Sequence, residues 1–434
     1  MRFHVPANSK DLSNYTSRFV DLVGRASWMK RTDQLELDQR RSMFWWKVIS
    51  DYHWLEMALR FPLDILVKEE RLLQGNIEGL VLSAGSFAAT TVEVHSRLSP
   101  RGKKVLEGRL RDALNADTGF ASVFLELDLA QQLMSTGYDV EFPDLEGSGR
   151  FDLLFRRGVF AAEVECKSLS ADAGRQIHRR DFYRFMEAIT HGLKEHAQLN
   201  RPEVLVVTLK ARMPSDVSKQ EALASAANSM LKEHAREILH GLGFRIERRS
   251  CSEVLNRVPF DDQGALHKAC QIAFGQNIHM AGAMHAEGGC LVVMRSERVD
   301  DTSKPMLEAM RKAASQFTAH LPAFIAIQEH DIEAADLMLP HVRRRAGILS
   351  YALFGHYGAA HVNATYVTGF GAVVVRNGGF GVPAFAIPNP KPTFYVDASL
   401  SMPFLQHIPD EDFANLIGAP LPAPNISNLS ILPE

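Results

Sequence analysis

The sequence is poor in cysteine, with only Cys166, Cys251, Cys270 and Cys290 among 434 residues. No two of them form a CxxC pair, so a structural zinc site built on cysteines is not expected. Such sparse use of cysteine fits a reducing cytosol. The N-terminal residues lack the apolar core of a signal peptide, and no run of about 18 apolar residues occurs. The sequence therefore predicts a cytoplasmic protein without a membrane span.

A strong charge of either sign is also missing. The formal net charge is −3 and the isoelectric point is about 6.6, so no overall basic field favours passive coating of nucleic acid. Any contact with DNA must then come from local basic patches. Hydrophobic residues at 46% and charged residues at 23% are normal for a globular protein. Because 434 residues exceed one ordinary hydrophobic core, two or three domains are expected.

Hydrophobic periodicity divides the chain into four parts. Residues 1–115 show helical spacing of apolar side chains and predict a helical N-terminal region. Residues 116–210 predict a helix, three strands, a helix and a strand, in that order. Residues 211–388 predict an α/β region with a helical insertion, and residues 389–434 a proline-rich C-terminal tail. The expected fold class is mixed α/β, of the α+β type, with helices flanking a mixed sheet.

The stretch FDLLFRRGVFAAEVECK, from Phe151 to Lys167, predicts a β-hairpin. Its strands cover about 150–156 and 159–167, and they meet at a turn formed by Arg156-Arg157-Gly158. The other elements predicted around it are a helix at Thr118–Thr136, a short strand at Tyr138–Phe142, a long helix at 174–199 and a buried strand at Glu203–Lys210.

The second strand of this hairpin carries three charged side chains on one face. Side chains alternate faces along a strand, so Glu163, Glu165 and Lys167 point the same way. If the hairpin places Asp152 beside Glu165 and Lys167, two carboxylates and an ammonium group share a small volume. Carboxylate oxygens are ligands that Mg²⁺ prefers. The alternative is a solvated strand face with ordinary ion pairs, but burying three such charges is costly unless they are paired or metal-bound.

These residues, together with the order of elements over 116–210, resemble the PD-(D/E)XK nuclease superfamily, whose fold is restriction-endonuclease-like. The resemblance implies that Asp152 and Glu165, with the backbone carbonyl of Cys166, bind Mg²⁺ or Mn²⁺. It further implies that Lys167 orients or deprotonates the attacking water and stabilises negative charge. The hairpin match therefore predicts hydrolysis of phosphodiester bonds.

The resemblance also implies a carboxylate on the preceding helix as a further catalytic and metal-binding group. Glu126 is the candidate, and Asp128 is its rival, because the two side chains point about 200° apart around a helix. The sequence departs from the family pattern in having Phe151 where a proline normally precedes the aspartate. A literal Pro143-Asp144 pair occurs upstream. We interpret it as a chance match to the family motif, because it lies in the loop before the hairpin and the catalytic aspartate should come from the strand that pairs with Glu165. Glu163 is left open as a group supporting the metal ligands or as an ion-pair partner.

The segment after the lysine supplies candidates for nucleic-acid contact. Many members of the superfamily have a glutamine early in the following helix, and Gln176 occupies that place. Neighbouring cations suit contacts with phosphate, although a solvated helix face is an equal alternative for each. These cations are Arg175, His178, Arg179 and Arg180.

The resulting functional prediction is a Mg²⁺-dependent endonuclease that acts on DNA. A role in antiviral defence or in DNA repair is implied only by what many members of the superfamily do. The alternative is a catalytically silent nuclease-fold protein that acts as a binding or assembly subunit. The chain has no NTP-binding motif of its own, so a partner ATPase or sensor subunit is compatible with the sequence, as is a homo-oligomer.

Overall fold

The computed structural model divides the chain into two compact units, each built from segments that are distant in sequence. The first unit comprises Met1–Gln34, Tyr52–Ala171 and Ser303–Glu434, and the second comprises Leu35–Asp51 and Asp172–Thr302. These units do not coincide with the predicted boundaries. The residues that the structure describes are 9–68, 79–170, 172–197, 202–232, 238–241, 243–254, 258, 263–275, 277–285, 288–333, 337, 340–370, 373–374, 380–381 and 384–397.

The described ranges contain both helices and strands, so the predicted α+β class is confirmed. Within them, no helix combines the length and the apolar composition needed to cross a membrane. The helices are α1 (Ser9–Val23), α2 (Arg25–Arg41), α3 (Trp45–Tyr52), α4 (Trp54–Lys68), α5 (Gly79–Arg97), α6 (Pro100–Asn115), α7 (Ala121–Ser135), α8 (Pro143–Glu146), α9 (Arg179–Ala197), α10 (Val217–Lys232), α11 (Cys251–Val254), α12 (Gln263–Phe274), α13 (Ser303–Ala314) and α14 (Pro340–Tyr351), the last continuing as a π-helical turn over Ala352–His356.

The strands form two mixed sheets and one isolated pair. The six-stranded sheet of the first unit has the order β1-β2-β3-β9-β10-β13, the five-stranded sheet of the second unit has the order β5-β6-β4-β8-β7, and β11 pairs with β12. The strands are β1 (Asp139–Glu141), β2 (Leu153–Arg157), β3 (Phe160–Leu169), β4 (Pro202–Leu209), β5 (Ile238–Gly241), β6 (Phe244–Ser250), β7 (Ile278–His285), β8 (Gly288–Ser296), β9 (Ala323–Glu333), β10 (Val362–Phe370), β11 (Val373–Val374), β12 (Phe380–Gly381) and β13 (Ala384–Pro388).

The predicted hairpin is present as β2 and β3. The two strands are antiparallel, with Leu153 opposite Val164 and Arg157 opposite Phe160. Gly158 begins the two-residue turn with a φ of +61°, a left-handed conformation that glycine adopts without the steric cost of a Cβ atom. The alternation of apolar and charged side chains, together with this glycine, accounts for the register.

The two elements predicted after the hairpin do not belong to its sheet. The helix predicted over 174–199 and the strand predicted over Glu203–Lys210 correspond to α9 and β4, which lie in the second unit. The parallel neighbour of β3 is β9, which pairs Glu165 with Ile325. Parallel strands need a crossover connection, and α13 lies in the chain directly before β9. The order helix, three strands, helix, strand is therefore completed by α13 and β9, with residues 172–302 inserted.

The N-terminal helices share one hydrophobic core with this sheet. Phe19 lies within 6 Å of three other aromatic side chains, with ring centroids 5.5 Å from Trp28, 5.5 Å from Phe87 and 5.8 Å from Phe120. The same buried cluster continues into the sheet through residues such as Val164. Residues 9–115 thus do not form one separate domain: α1, α4, α5 and α6 contribute to this core, whereas Phe44 belongs to a core of the second unit. Helix α7 packs directly on β3.

The second unit has a three-layer arrangement. Alternate residues of its central strand β4 contribute to different cores, with Leu205 and Val207 in one and Val204 and Val206 in the other. Helices α9 and α10 supply the first core, and α12 supplies the second. This continuous apolar run on a strand buried on both faces is typical of a parallel sheet covered by helices.

Candidate active site

Asp152 and Glu165 meet at the open end of the hairpin. Asp152 directly precedes β2, and its Oδ2 accepts a hydrogen bond from the backbone N–H of Cys166 at 2.7 Å. This bond fixes the Asp152 carboxylate beside the middle of β3. The structure therefore shows the predicted proximity: Asp152 lies immediately before β2, and β2 pairs with β3, which carries Glu165 and Lys167.

These side chains open into one cavity of about 780 Å³ in the first unit. Glu126 enters the cavity from α7, so Glu126, Asp152, Glu165 and Lys167 all line it. Asp128 is not among the lining residues, and its carboxylate instead accepts a hydrogen bond from Gln132 Nε2 at 2.7 Å. Of the two candidates for the helix carboxylate that the family resemblance implied, the structure therefore places Glu126 in the cavity and Asp128 outside its lining.

Lys167 is held in place on two sides. Its ammonium group donates to Glu165 Oε1 and, at 3.0 Å, to Gln316 Oε1. The other end of the Gln316 amide donates to the carbonyl oxygen of Arg150 at 2.7 Å. Gln316 therefore orients the lysine and ties it to the loop before β2. Local sequence carried no signal for this contact, because 149 residues separate the two side chains.

Four further charged residues of the cavity were missed or set aside by the sequence interpretation, and two of them, Arg109 and Asp144, form an ion pair there. Arg109, from α6, donates to Glu126 Oε2 at 3.2 Å and to Asp144 Oδ2. Asp144 was interpreted as a chance match to the family motif, but the structure places its carboxylate in the cavity, where it also accepts the N–H of Leu145 at 2.7 Å. The interpretation of Asp144 as lying outside the site was therefore wrong. Asp152 remains the aspartate next to Glu165, and Asp144 is an additional carboxylate held by Arg109.

The cavity carries more negative than positive side chains. Its lining contains five acidic residues and three basic ones, which are Asp112, Glu126, Asp144, Asp152, Glu165, Arg109, Arg150 and Lys167.

Burial and mutual repulsion raise the pKa values of three of these carboxyl groups. Burial raises the pKa of Glu126 to about 7, against the opposing effect of Arg109. Burial, followed by the nearby Glu126 and Glu165, raises the pKa of Asp152 well above its usual value. Burial also raises the pKa of Glu165, although Lys167 counteracts it. Clustered carboxyl groups with raised pKa values are common at functional sites.

The donor set suits a hard divalent cation. The side chain of Glu165 is 1% exposed, and its Oε2 is buried without a hydrogen-bond partner among the described residues. Carboxylate oxygens of this kind are the ligands that Mg²⁺ prefers. Over the described part of the chain, however, no three acidic, histidine or cysteine side chains are grouped as a metal site. Three of the cavity carboxylates are instead engaged by cations: Glu126 and Asp144 by Arg109, and Glu165 by Lys167.

Glu163 has a structural role. Its carboxylate accepts the backbone N–H of Thr318 at 2.9 Å and also the hydroxyl of Thr318. Glu163 is not among the residues that line the cavity. Among the described residues Glu163 forms no ion pair, and its contacts with Thr318 fix the loop between α13 and β9.

The residues predicted to contact nucleic acid belong to the second unit. The predicted helix over 174–199 begins only at Arg179, so Gln176 lies in the loop before α9. This loop is fixed by acceptors later in the chain: the backbone N–H of Gln176 donates to Asp300 Oδ1 at 2.7 Å, and its side-chain amide donates to the carbonyl of Val299 at 3.2 Å. The half-buried cations of the same segment are Arg175, His178, Arg179 and Arg180.

Comparisons with models of known protein families, with curated proteins and with solved structures found no match.

The raised pKa of Glu126 predicts a specific dependence of stability on pH. Because the pKa rises from 4.5 to about 7 on folding, this group's contribution is fully present below pH 4.5 and is lost as pH rises through about 7. In metal-free buffer, wild type should lose Tm relative to Glu126→Gln between about pH 5 and about pH 8. Thermal unfolding at a series of pH values measures this difference. Glu141→Gln, an exposed substitution on β1, is the control, and parallel curves for wild type and Glu126→Gln would contradict the prediction.

Proposed function

We propose that this protein is a metal-dependent nuclease that hydrolyses phosphodiester bonds of DNA. The observation that carries the proposal is the convergence of Asp152, Glu165 and Lys167 in one cavity, where Oε2 of Glu165 is buried and has no hydrogen-bond donor among the described residues. The order of α7, β1, β2, β3, α13 and β9 supports the resemblance to PD-(D/E)XK nucleases, because that family requires a helix, three strands, a helix and a strand.

Each of the four predicted site residues in the cavity has a chemical role in this proposal. Asp152, held by the Cys166 amide, and Glu165 would hold the cation with the Cys166 carbonyl, and Glu126 would add a further carboxylate. A bound Mg²⁺ or Mn²⁺ supplies Lewis acidity, which favours ionisation of water and neutralises charge on the phosphate. Lys167, oriented by Gln316, would position the attacking water and, as an ammonium group, stabilise negative charge at the phosphate. To accept the proton of the water instead, Lys167 would have to be in its neutral form.

Contacts with the DNA backbone are assigned to cations of the second unit. Arg175, Arg179 and Arg180 lie within six consecutive residues. His178, in the same segment, accepts a hydrogen bond at Nε2 from the guanidinium group of Arg212 at 2.7 Å, so Arg212 rather than His178 supplies the further positive charge. Groups of cations suit phosphate oxygens and bind without regard to sequence. Gln176 remains a weaker candidate because its amide already donates to Val299.

Metal-dependent cleavage is the direct test. The full chain is incubated with supercoiled plasmid, linear duplex, single-stranded DNA and RNA of matched sequence, each with Mg²⁺, Mn²⁺ or EDTA. We expect cleavage of DNA with either metal, none with EDTA, and recovery when metal is added in excess over EDTA. Gel analysis of the products also distinguishes cutting within a strand from digestion at its ends.

Other outcomes would distinguish the nuclease from the alternative functions. Retardation of DNA without cleavage under any condition would favour the silent binding or assembly subunit. Cleavage that persists in EDTA would place the activity outside this cavity. If the protein neither binds nor cuts any of the four substrates, the nuclease proposal is wrong.

A further inference from the structure

Arg109 is a basic side chain of the cavity that the nuclease pattern does not explain. Its guanidinium group bridges two helices, donating to Glu126 on α7 at 3.2 Å and to Asp144 on α8. Both acceptors are largely buried, with side chains 16% and 12% exposed. One arginine therefore binds two carboxylates that line the same cavity.

The positions of these carboxylates depend on a cation. Without Arg109, the carboxylates of Glu126 and Asp144 would have no positive charge between them, and their mutual repulsion in a partly dehydrated space would favour binding of another cation. Arg109 uses Oε2 of Glu126 and Oδ2 of Asp144, and a hard cation would use the same type of oxygen. The same cavity also contains Glu165 Oε2, which is buried without a hydrogen-bond partner among the described residues.

We propose that Arg109 competes with a divalent cation for Glu126 and Asp144, so that loading the cavity with metal requires the release of this arginine. The inference rests on the proposed function, since it takes the cavity to be the metal site. Arg109 then acts as an internal substitute for part of the metal charge: it keeps the carboxylates together and lowers the affinity for metal.

The test measures Mn²⁺ binding to the full chain by isothermal titration calorimetry, in wild type, Arg109→Gln and Arg109→Lys. An opposite charge within about 4–6 Å shifts the pKa of a carboxyl group by about 1–3 units, so its interaction with the carboxylate is worth about 10- to 1000-fold in an equilibrium constant. We therefore expect Arg109→Gln to bind Mn²⁺ at least about tenfold more tightly than wild type. Arg109→Lys should lie between them, because an ammonium group keeps the charge but lacks the planar fork that bridges two carboxylates.

Arg111→Gln is the matched control. Arg111 lies on the same helix, its side chain is 56% exposed, and it pairs with Glu107 at 3.2 Å. This variant should bind Mn²⁺ as wild type does. The rise in Tm on adding Mn²⁺ is an independent readout, because a ligand that binds only the folded state stabilises it.

The outcomes separate this inference from the proposed function. Unchanged or weaker Mn²⁺ binding in both Arg109 variants, with metal-dependent cleavage intact in wild type, overturns the inference alone. Absence of Mn²⁺ binding in every variant overturns both. Binding by Arg109→Gln but not by wild type supports the competition directly. If Arg109→Gln does not fold, the affinity of Arg109→Lys decides.

Discussion

Replacing Lys167 with methionine is expected to reduce DNA cleavage by about 10²–10⁴-fold, the usual range for loss of a proton-transfer or charge-stabilising group. Methionine retains the length of the side chain but cannot donate to Glu165 or Gln316, as Lys167 does. Asp152→Asn should have a comparable effect. An asparagine oxygen still accepts the Cys166 N–H that Asp152 now accepts at 2.7 Å, so this variant removes the charge and keeps the backbone contact.

Initial rates of plasmid cleavage with Mg²⁺ measure this loss. Lys312→Met, an exposed lysine on α13, and Glu141→Gln, an exposed carboxylate on β1, are the controls and should cut at the wild-type rate. Circular dichroism and Tm establish that each variant is folded. Wild-type rates in folded Lys167→Met and Asp152→Asn would assign the cleavage to another site or to a contaminant.

Alanine at Gly174 is expected to destabilise the second unit strongly. Gly174 has a φ of +82°, and a Cβ atom there would lie 2.0 Å from the backbone oxygen of Asp301. The carbonyl of Gly174 also accepts the N–H of Asp301 at 2.9 Å, so the two backbones cannot separate without breaking this bond. Conformational strain and forced overpacking together should cost about 2–5 kcal/mol.

Gly243→Ala separates the two causes. Gly243 belongs to the same unit and has a similar φ of +88°, but a Cβ atom there would meet nothing within 4 Å. It should therefore show only the conformational cost, about 1–2 kcal/mol. Thermal and urea unfolding of the full chain compare the two variants. Equal losses of Tm would mean that the contact of Gly174 with Asp301 adds no cost of its own.

The hairpin was predictable because its signals are local. Alternation of apolar and charged residues over β3, with Gly158 at the turn, places Glu165 and Lys167 on one face, and the structure shows the antiparallel register that brings Asp152 beside them. The helical phase similarly separated Glu126 from Asp128. Both conclusions need only the fixed periods of a strand and a helix.

The choice of the strand beside β3 was not predictable in this way. Segments 203–210 and 323–330 are both apolar runs of the kind found in buried strands. Nothing local distinguishes these two segments, and segment 203–210 falls in the same predicted region as the hairpin. The structure pairs β3 with β9 instead, because residues 172–302 belong largely to the separate sheet and core of the second unit.

The amino-acid pattern was sufficient for the α+β class, the hairpin and the proximity of Asp152, Glu165 and Lys167, and the family resemblance added Glu126 to this group. Arg109, Asp144 and Gln316 entered the cavity only through packing between distant segments. The physical reason is the range of the interactions: backbone periodicity acts within a few residues, whereas hydrogen bonds such as that between Lys167 and Gln316 form only after the two chain segments have been brought together.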